Sequence, residues 1–147
     1  MKVWTALCTL ALLIPAPATA QPVSPRIYAV KLAVRDFART TRFYQLLGMQ
    51  AGPHHNAWEW ELKWDDPARG SSIIMVDARR SARFHVTRGG GTLIFSTPDV
   101  YAALVRMRGA GFSVPGEPRV MGQSAIIMIQ DPDGNWIELA GPARAPK

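Results

Sequence analysis

The sequence predicts an α+β fold in which two βαβββ modules form a curved sheet around a cavity, with the helices outside. The order strand, helix and three strands occurs twice, with a basic connector between the two copies. The residues that begin and end the two predicted helices also keep one spacing, since 99 − 36 for Asp99 and Asp36 and 111 − 48 for Gly111 and Gly48 both give 63. One such half cannot bury its own sheet face, so the repeat predicts that the halves pack around a shared interior.

Residues 1–20 are predicted to be a secretory signal peptide. Lys2 precedes an apolar run from Val3 to Ile14, and the segment ends in the A-x-A cleavage site Ala18-Thr19-Ala20. The apolar run is about a dozen residues, whereas roughly 20 are needed to span a bilayer. We therefore expect an exported protein, periplasmic or secreted, whose mature chain begins at Gln21.

The mature chain would keep 127 of the 147 residues and no cysteine, because Cys8 lies within the signal. This length suits one domain with its own core, and the lack of thiols excludes disulfides and thiolate metal sites. The formal charge of +6 falls to +5 with the loss of Lys2, and a basic surface attracts anionic partners. The arginines are scattered rather than held on one helix, so no nucleic-acid partner is expected.

The first module is predicted over residues 26–77. The side chain of Asp36 can accept hydrogen bonds from the free N–H groups at the start of a helix, and Gly48 ends that helix. Alternation in the first strand places Lys31 on the same face as Ala29. Four strands are predicted in this module from their alternating patterns: Tyr28–Val34, Met49–His54, Trp58–Trp64 and Ser72–Val76.

Three tryptophans share one face of the third strand. Trp58, Trp60 and Trp64 alternate there with two glutamates and a lysine. We expect the tryptophans to face inward, beside Trp136, and to line an aromatic slot for a flat or apolar ligand. The alternative is that they simply fill the core.

A basic, irregular connector over residues 78–90 leads to the second module, residues 91–141. The first strand of this module is predicted at Leu93–Thr97, and Thr97-Pro98-Asp99 is predicted as a helix start with proline in the first turn. Three further strands follow, the last two as a hairpin at Ser124–Gln130 and Asn135–Ala140. Residues 142–147 are predicted to be a flexible tail.

The turn of this hairpin is Asp131-Pro132-Asp133-Gly134, in which proline fixes one φ and glycine accepts a positive φ. In the strand after it, Trp136 and Glu138 share one face while Ile137 and Leu139 share the other. A carboxylate beside an indole, with neighbours that must be buried, suggests a lined cavity. The alternative is a glutamate on an open rim.

This arrangement resembles the vicinal oxygen chelate superfamily, which includes glyoxalase I, extradiol dioxygenases and the bleomycin- and fosfomycin-resistance proteins. The resemblance covers residues 26–141 and implies the fold, but no single activity. The motifs that carry it are Val34-Arg35-Asp36-Phe37, Phe43-Tyr44, Leu47-Gly48-Met49, Asp131-Pro132-Asp133-Gly134 and Ile137-Glu138-Leu139.

The resemblance also implies where a metal would be held, because metal-dependent members use four inward side chains, two from each module. These positions fall on Ala29, Met75, Thr92 and Glu138. Only Glu138 is a normal ligand, since methyl and thioether groups do not bind hard divalent ions and a threonine hydroxyl binds them weakly. We therefore expect no cofactor, with a divalent metal at a rebuilt site as the alternative.

A rebuilt site would need other donors. Adjacent strand residues point to opposite faces, so at most one of His54 and His55 faces inward. His85 lies in the connector, and Asp77 shares a face with Met75. Lys31 would be a lone positive charge near the terminal glutamate, where it could pair with that carboxylate or hold an anionic ligand group.

The leading functional hypothesis is an exported, metal-free member that binds a small molecule, flat and aromatic or anionic, in a tryptophan-lined cleft. Its expected ligand-binding residues are Lys31, Trp58, Trp60, Trp136 and Glu138. The alternatives are a metal-dependent lyase or dioxygenase, an enzyme that uses Glu138 as a base without metal, and a structural or adaptor domain. Binding of a cationic drug is less expected, since a basic protein attracts cations poorly unless its cavity is acidic. Members of this superfamily assemble their halves within one chain or across a homodimer, and both arrangements remain open.

Overall fold

The computed structural model describes residues 27–144, which contain two α-helices and two four-stranded sheets. The predicted signal peptide and the last three residues of the predicted tail lie outside the described residues. Within the described part, no helix has both the length and the apolar character that crossing a membrane requires.

The predicted α+β fold of two βαβββ modules is confirmed. The first module runs through β1 to β4 and contains α1, and the second runs through β5 to β8 and contains α2. Two short 3-10 helices, Pro67–Arg69 and Ser81–Phe84, lie in the connections before and after β4. In chain order the elements are β1 Ala29–Val34, α1 Phe37–Gln45, β2 Gln50–Asn56, β3 Glu59–Lys63, β4 Ser72–Asp77, β5 Thr92–Ser96, α2 Val100–Gly109, β6 Arg119–Met121, β7 Ser124–Gln130 and β8 Trp136–Pro142.

The helix boundaries follow the predicted chemistry. The carboxylate of Asp36 accepts a hydrogen bond from the N–H of Arg39 at 2.9 Å, and Asp99 accepts one from the N–H of Ala102 at 3.0 Å. Gly48 has φ +96° and Gly111 has φ +83°, the left-handed conformation that side chains other than glycine rarely adopt.

The two sheets have equivalent topology, β1-β4-β3-β2 and β5-β8-β7-β6. In each, the first strand of the module pairs in parallel with the last, and the remaining pairs are antiparallel. Residues that pair across neighbouring strands point to the same side, so each sheet has one face packed on the helices and one opposite face, called here the helix-free face.

The core lies on the helix-packed faces and continues from one module to the other. Phe43 of α1 packs edge-on against Phe112, with ring centroids 5.2 Å apart, and Tyr44 lies 6.0 Å from Phe95. The fully buried side chains include, from both modules, Val34, Phe43, Tyr44, Leu62, Met75, Leu104, Met107, Ile129, Ile137 and Leu139.

The register of β4 corrects one sequence-based position. Met75 pairs with Leu32 and is only 1% exposed, so it belongs to the helix-packed face and not to the interior expected for a ligand position. On the helix-free face Lys31 pairs with Ile74, just as Ile94 pairs with Glu138 in the second module. The residue equivalent to Glu138 is therefore Ile74, because the spacing of 63 residues does not extend to β4 and β8, where 138 − 74 gives 64.

The Asp131–Gly134 turn joins the modules through two buried carboxylates. Asp131 accepts a hydrogen bond from the hydroxyl of Tyr44 at 3.0 Å, and Asp133 accepts one from the hydroxyl of Thr40 at 2.8 Å. Asp133 also accepts the backbone N–H of Arg35 at 2.9 Å. The turn therefore links β7 to β8 and also anchors α1 to the second module.

Candidate functional site

The helix-free face of the second sheet is an apolar surface with a carboxylate at its centre. Glu138 on β8 is flanked by Ile94 of β5 and Met128 of β7, which pair with it from the two neighbouring strands. Ile94 is 69% exposed and Met128 is 42% exposed. One pair further along, Trp136 is also 42% exposed. Large apolar side chains that share one exposed sheet face are typical of a binding surface.

The carboxylate of Glu138 is half-buried among these side chains. Within residues 27–144 it makes no side-chain hydrogen bond and no ion pair. On β5, β7 and β8 it is also the one charged side chain of the helix-free face, whose other members are apolar, hydroxyl or amide residues. On the edge strand β6, Arg119 shares this face through its pairing with Ile126. The face therefore carries one carboxylate on its three inner strands and one guanidinium at its edge.

A cavity of 320 Å³ adjoins this face at the end near the Asp131–Gly134 turn. Trp136, Met128 and Gln130 line it from the sheet, and Phe112 and Arg39 line it from the helix side. The indole of Trp136 thus borders both the open face and the cavity.

The helix-free face of the first sheet is charged instead. The ammonium group of Lys31 on β1 lies 2.5 Å from Oε1 of Glu59 on β3, and the amide of Asn56 donates to the same carboxylate at 2.7 Å. The hydrogen bond from Lys31 is the main cause that lowers the pKa of Glu59 below its usual range. Nζ of Lys31 also lies 4.4 Å from the ring centre of Phe84.

This geometry corrects the expected pairing of Lys31 with Glu138. The two side chains lie in different sheets, and the charge of Lys31 is compensated within its own sheet by Glu59. From the sequence alone, both residues are expected in one shared interior and the glutamates of β3 on the opposite face, but the pairing of β3 with β4 puts Glu59 and Glu61 on the same face as Lys31.

The expected tryptophan slot is corrected for the same reason. Trp60 pairs with Met75 on the helix-packed face, where it stacks between Phe37 of α1 and His54 of β2, at 4.6 and 3.8 Å between ring centres. Trp64 packs against Phe95 in the core, at 5.8 Å.

Trp58 precedes β3, and its ring lies 4.6 Å from the guanidinium carbon of Arg80 in the connector. Trp136 is therefore the one tryptophan of residues 27–144 that lies on the helix-free face of a strand.

Two glutamates of the first module lie on the helix-free face and not on the opposite face expected from the sequence. Glu59 and Glu61 of β3 share the helix-free face, and Nε2 of His55 lies 3.3 Å from Oε2 of Glu61. The residues of β1 could have predicted this placement. Leu32 and Val34 are apolar and face the helices, and pairing through β4 then places the glutamates of β3 on the opposite face.

The residues at the four family metal positions do not fit a metal site. With the corrected register these positions are Ala29, Ile74, Thr92 and Glu138, of which only the last is a normal ligand for a divalent ion. Elsewhere in residues 27–144, no three His, Asp or Glu side chains are grouped so that they could hold one ion. His54, His55, His85 and Asp77 do not rebuild the site.

Solved structures with this fold include small-molecule-binding proteins. TnmS3, an antibiotic-binding protein from Streptomyces sp. CB03234, is similar with a TM-score of 0.65 and 22% identity, over 83% of this chain and 99% of that chain. A virulence protein from Salmonella typhimurium has a TM-score of 0.60 and 26% identity, over 83% and 100% of the two chains. A bleomycin-binding protein solved in complex with bleomycin has a TM-score of 0.55 and 16% identity, over 82% and 100%.

The sequence itself matches a known family. The model of the Glyoxalase/Bleomycin resistance protein/Dioxygenase superfamily covers residues 26–139, which includes both modules and the hairpin that carries Glu138. Together with the repeated βαβββ topology, this match shows that the chain belongs to the glyoxalase/bleomycin resistance protein/dioxygenase superfamily.

Proposed function

We propose that this protein is an exported, metal-free member of the superfamily that binds a small organic molecule on the helix-free face of the second sheet. The ligand lays a flat apolar part against Trp136 and Met128 and donates a hydrogen bond to Glu138. The observation that carries this proposal is the half-buried carboxylate of Glu138 between exposed apolar side chains, without a partner among the described residues.

Two contributions to the binding free energy favour a molecule bound on this face. Covering the exposed parts of Ile94, Met128 and Trp136 would remove apolar surface from water, which is worth roughly 25 cal/mol for each Å². A partly buried carboxylate gains when a donor completes its hydrogen bonds, and a charged donor gives the stronger bond. A flat molecule with an amine or another N–H donor satisfies both requirements.

The charged side chains near Trp136 limit the class of ligand that this face can bind. Lys31 is engaged by Glu59 and lies in the other sheet, so it does not supply a positive group beside Trp136. The proposed ligand is thus aromatic, with a donor or cationic group that faces Glu138. Arg39, which lines the adjoining cavity with Trp136, is the positive group that an anionic ligand would use instead. The net positive charge of the chain opposes this less at the centre of the face, where Glu138 is the one charged side chain of β5, β7 and β8.

Neighbouring structures support a binding role. TnmS3 is described as an antibiotic-binding protein, and another protein of this fold was solved with bleomycin. The alternative is that a second copy of this chain covers the apolar face in a dimer. The oligomeric state therefore has to be measured together with binding. Export remains part of the proposal on the strength of residues 1–20.

The test uses two flat ligands of similar size and opposite charge, 9-aminoacridine and 9-anthracenecarboxylate, titrated calorimetrically into the metal-stripped mature protein. Preferential binding of the cation, unchanged by chelator, is the expected result. Equal binding of both ligands, or binding that requires added metal, would contradict the proposal. Sedimentation velocity on the same samples separates ligand binding from dimer formation.

A further inference from the structure

A second cavity lies in the first module, apart from Trp136 and Glu138. It has a volume of 410 Å³, within the range of about 300–1,000 Å³ that is common for small-molecule sites. It opens where β1 and β4 begin, and its polar lining comes from β3 and the start of β4. Its lining includes Glu61, Lys63, Trp64, Gly70 and Ser72.

Glu61 supplies a buried carboxylate to this cavity. Its side chain is only 6% exposed, yet it accepts no hydrogen bond within residues 27–144. The nearest positive candidate is His55, whose Nε2 lies 3.3 Å away and whose side chain is 41% exposed. No side-chain oxygen of the described residues is both fully enclosed and without a hydrogen-bond partner, so the carboxylate oxygens of Glu61 are open to solvent or to the cavity. The cavity is the space from which a charged donor can approach.

Lys63 supplies the opposite charge at the same wall. It lies two residues after Glu61, so both side chains leave the same face of β3 about 6.6 Å apart along the strand. Within residues 27–144, Lys63 makes no ion pair. Opposite charges on one face of one strand suit a ligand that carries both an ammonium group and a carboxylate. Ser72, at the start of the adjacent strand β4, also lines the cavity.

Trp64 supplies a fixed aromatic surface beside these charges. The guanidinium carbon of Arg69 lies 4.6 Å from its ring centre, and Nε1 of the indole would lie 3.2 Å from a Cβ placed on Gly70. Gly70 has φ +146°, so the backbone passes close to the indole in a conformation that favours glycine. Together with the packing on Phe95, these contacts fix the position of the ring.

We propose that this cavity binds a small zwitterionic amine of the amino-acid class. The ammonium group donates to Glu61, the carboxylate pairs with Lys63, and an aromatic side group packs on Trp64. This site is separate from the second-sheet face, so either proposal can fail without the other.

The test is a matched series of phenylalanine, phenethylamine and 3-phenylpropionate, titrated into the mature protein and followed by calorimetry. Phenylalanine is expected to bind at least tenfold more tightly than either partial analogue, because it alone carries both charged groups. Glu61→Gln should weaken phenylalanine and phenethylamine about tenfold and leave 3-phenylpropionate unchanged. Lys63→Gln should weaken phenylalanine and 3-phenylpropionate and leave phenethylamine unchanged.

Glu117→Gln serves as the matched control, because Glu117 is 71% exposed and pairs with Arg108 far from the cavity. Circular dichroism of each variant checks that the fold is retained, and Lys63→Gln keeps the test valid if Glu61→Gln fails to fold. The proposal is overturned if phenylalanine does not bind at millimolar concentration, or if the three ligands bind equally. It is also overturned if Glu117→Gln weakens binding as much as the cavity variants do.

Discussion

Lys31 and Glu59 meet above the strand that separates them. Lys31 is on β1 and Glu59 is on β3, yet their charged groups are 2.5 Å apart because both side chains reach across β4. Beneath them, Ile74 and Val76 of β4 are 7% and 0% exposed. The ion pair thus belongs to the helix-free face of the first sheet, where it compensates the one lysine that the sequence had suggested for the ligand site.

The first prediction is that Lys31 couples to Glu59 and not to Glu138. A double-mutant cycle of Lys31→Met and Glu59→Gln, measured by urea unfolding, should give a coupling free energy of about 0.5–1 kcal/mol, since Lys31 is partly exposed. The matched cycle of Lys31→Met with Glu138→Gln should be additive. Coupling in the second cycle alone would restore the pairing that the structure rejects.

The pH dependence of this pair has a defined sign. The pKa of Glu59 is lowered from its ordinary value of 4.5, chiefly by the hydrogen bond from Lys31. The stabilisation is therefore present above pH 4.5 and is lost as the pH falls through the lower folded-state pKa. The difference in unfolding free energy between the wild type and Glu59→Gln should be constant near neutral pH and should shrink in acid.

The second prediction concerns the buried link between Tyr44 and Asp131. Tyr44→Phe removes the 3.0 Å hydrogen bond to this carboxylate and should lower the free energy of unfolding by about 1–2 kcal/mol. Tyr101→Phe is the matched control, because its ring stacks with Arg144 at the surface. Equal effects of the two substitutions would mean that the link between the modules carries little stability.

Tyr44 also makes the stability of the fold depend on pH in alkaline solution. Burial, followed by the nearby charge of Asp131, raises the pKa of Tyr44 well above 10.0. A group whose folded-state pKa is raised stabilises the fold below its unfolded-state pKa, and this stabilisation is lost as the pH rises further. The stability of the wild type should therefore decline above pH 10 more steeply than that of Tyr44→Phe, measured by thermal unfolding.

The fold could be predicted from the sequence because its signals are local. Asp36 and Asp99 begin the helices, the glycines at 48 and 111 end them, and the Asp131–Gly134 turn sets the hairpin. Each of these depends on the backbone preferences of a few adjacent residues, which do not need the rest of the chain to be known.

The site could be predicted only in part, because the direction of a strand's faces is a tertiary property. In β3 the tryptophans lie on one face and the glutamates on the other, and the sequence does not show which face packs on the helix. Only the pairing with β4 shows that Trp60 faces the helix and Glu61 does not. Likewise, the repeat spacing of 63 residues is measured between the two helices. It does not show that β4 and β8 are one residue further apart, which makes Ile74, and not Met75, the residue equivalent to Glu138. That Glu138 and Trp136 share one face could be predicted because their strand follows directly from the turn.

The third prediction is that the mature protein binds no stoichiometric metal. Ala29, Ile74 and Thr92 offer no adequate ligand to join Glu138. Elemental analysis after exposure to zinc, nickel, manganese and iron should find well under one equivalent, with Glu138→Gln as the control. A tightly held ion that is lost in Glu138→Gln would instead support the metal-dependent enzyme.

The fourth prediction is that export removes residues 1–20. Mass spectrometry of the protein recovered outside the cytoplasm should show an N-terminus at Gln21 or its cyclised form. A mature protein that retains Met1 would contradict the signal-peptide interpretation.

The central claim is that the second sheet binds a flat ligand through Trp136 and Glu138, and its most direct measurement is a calorimetric titration of 9-aminoacridine into four proteins. These are the wild type, Trp136→Ala, Glu138→Gln and the control Trp58→Ala, whose tryptophan contacts Arg80 and lies off the helix-free face. We expect each of the two site variants to weaken binding about tenfold or more and the control to bind like the wild type. Unchanged affinity in both Trp136→Ala and Glu138→Gln would contradict the account.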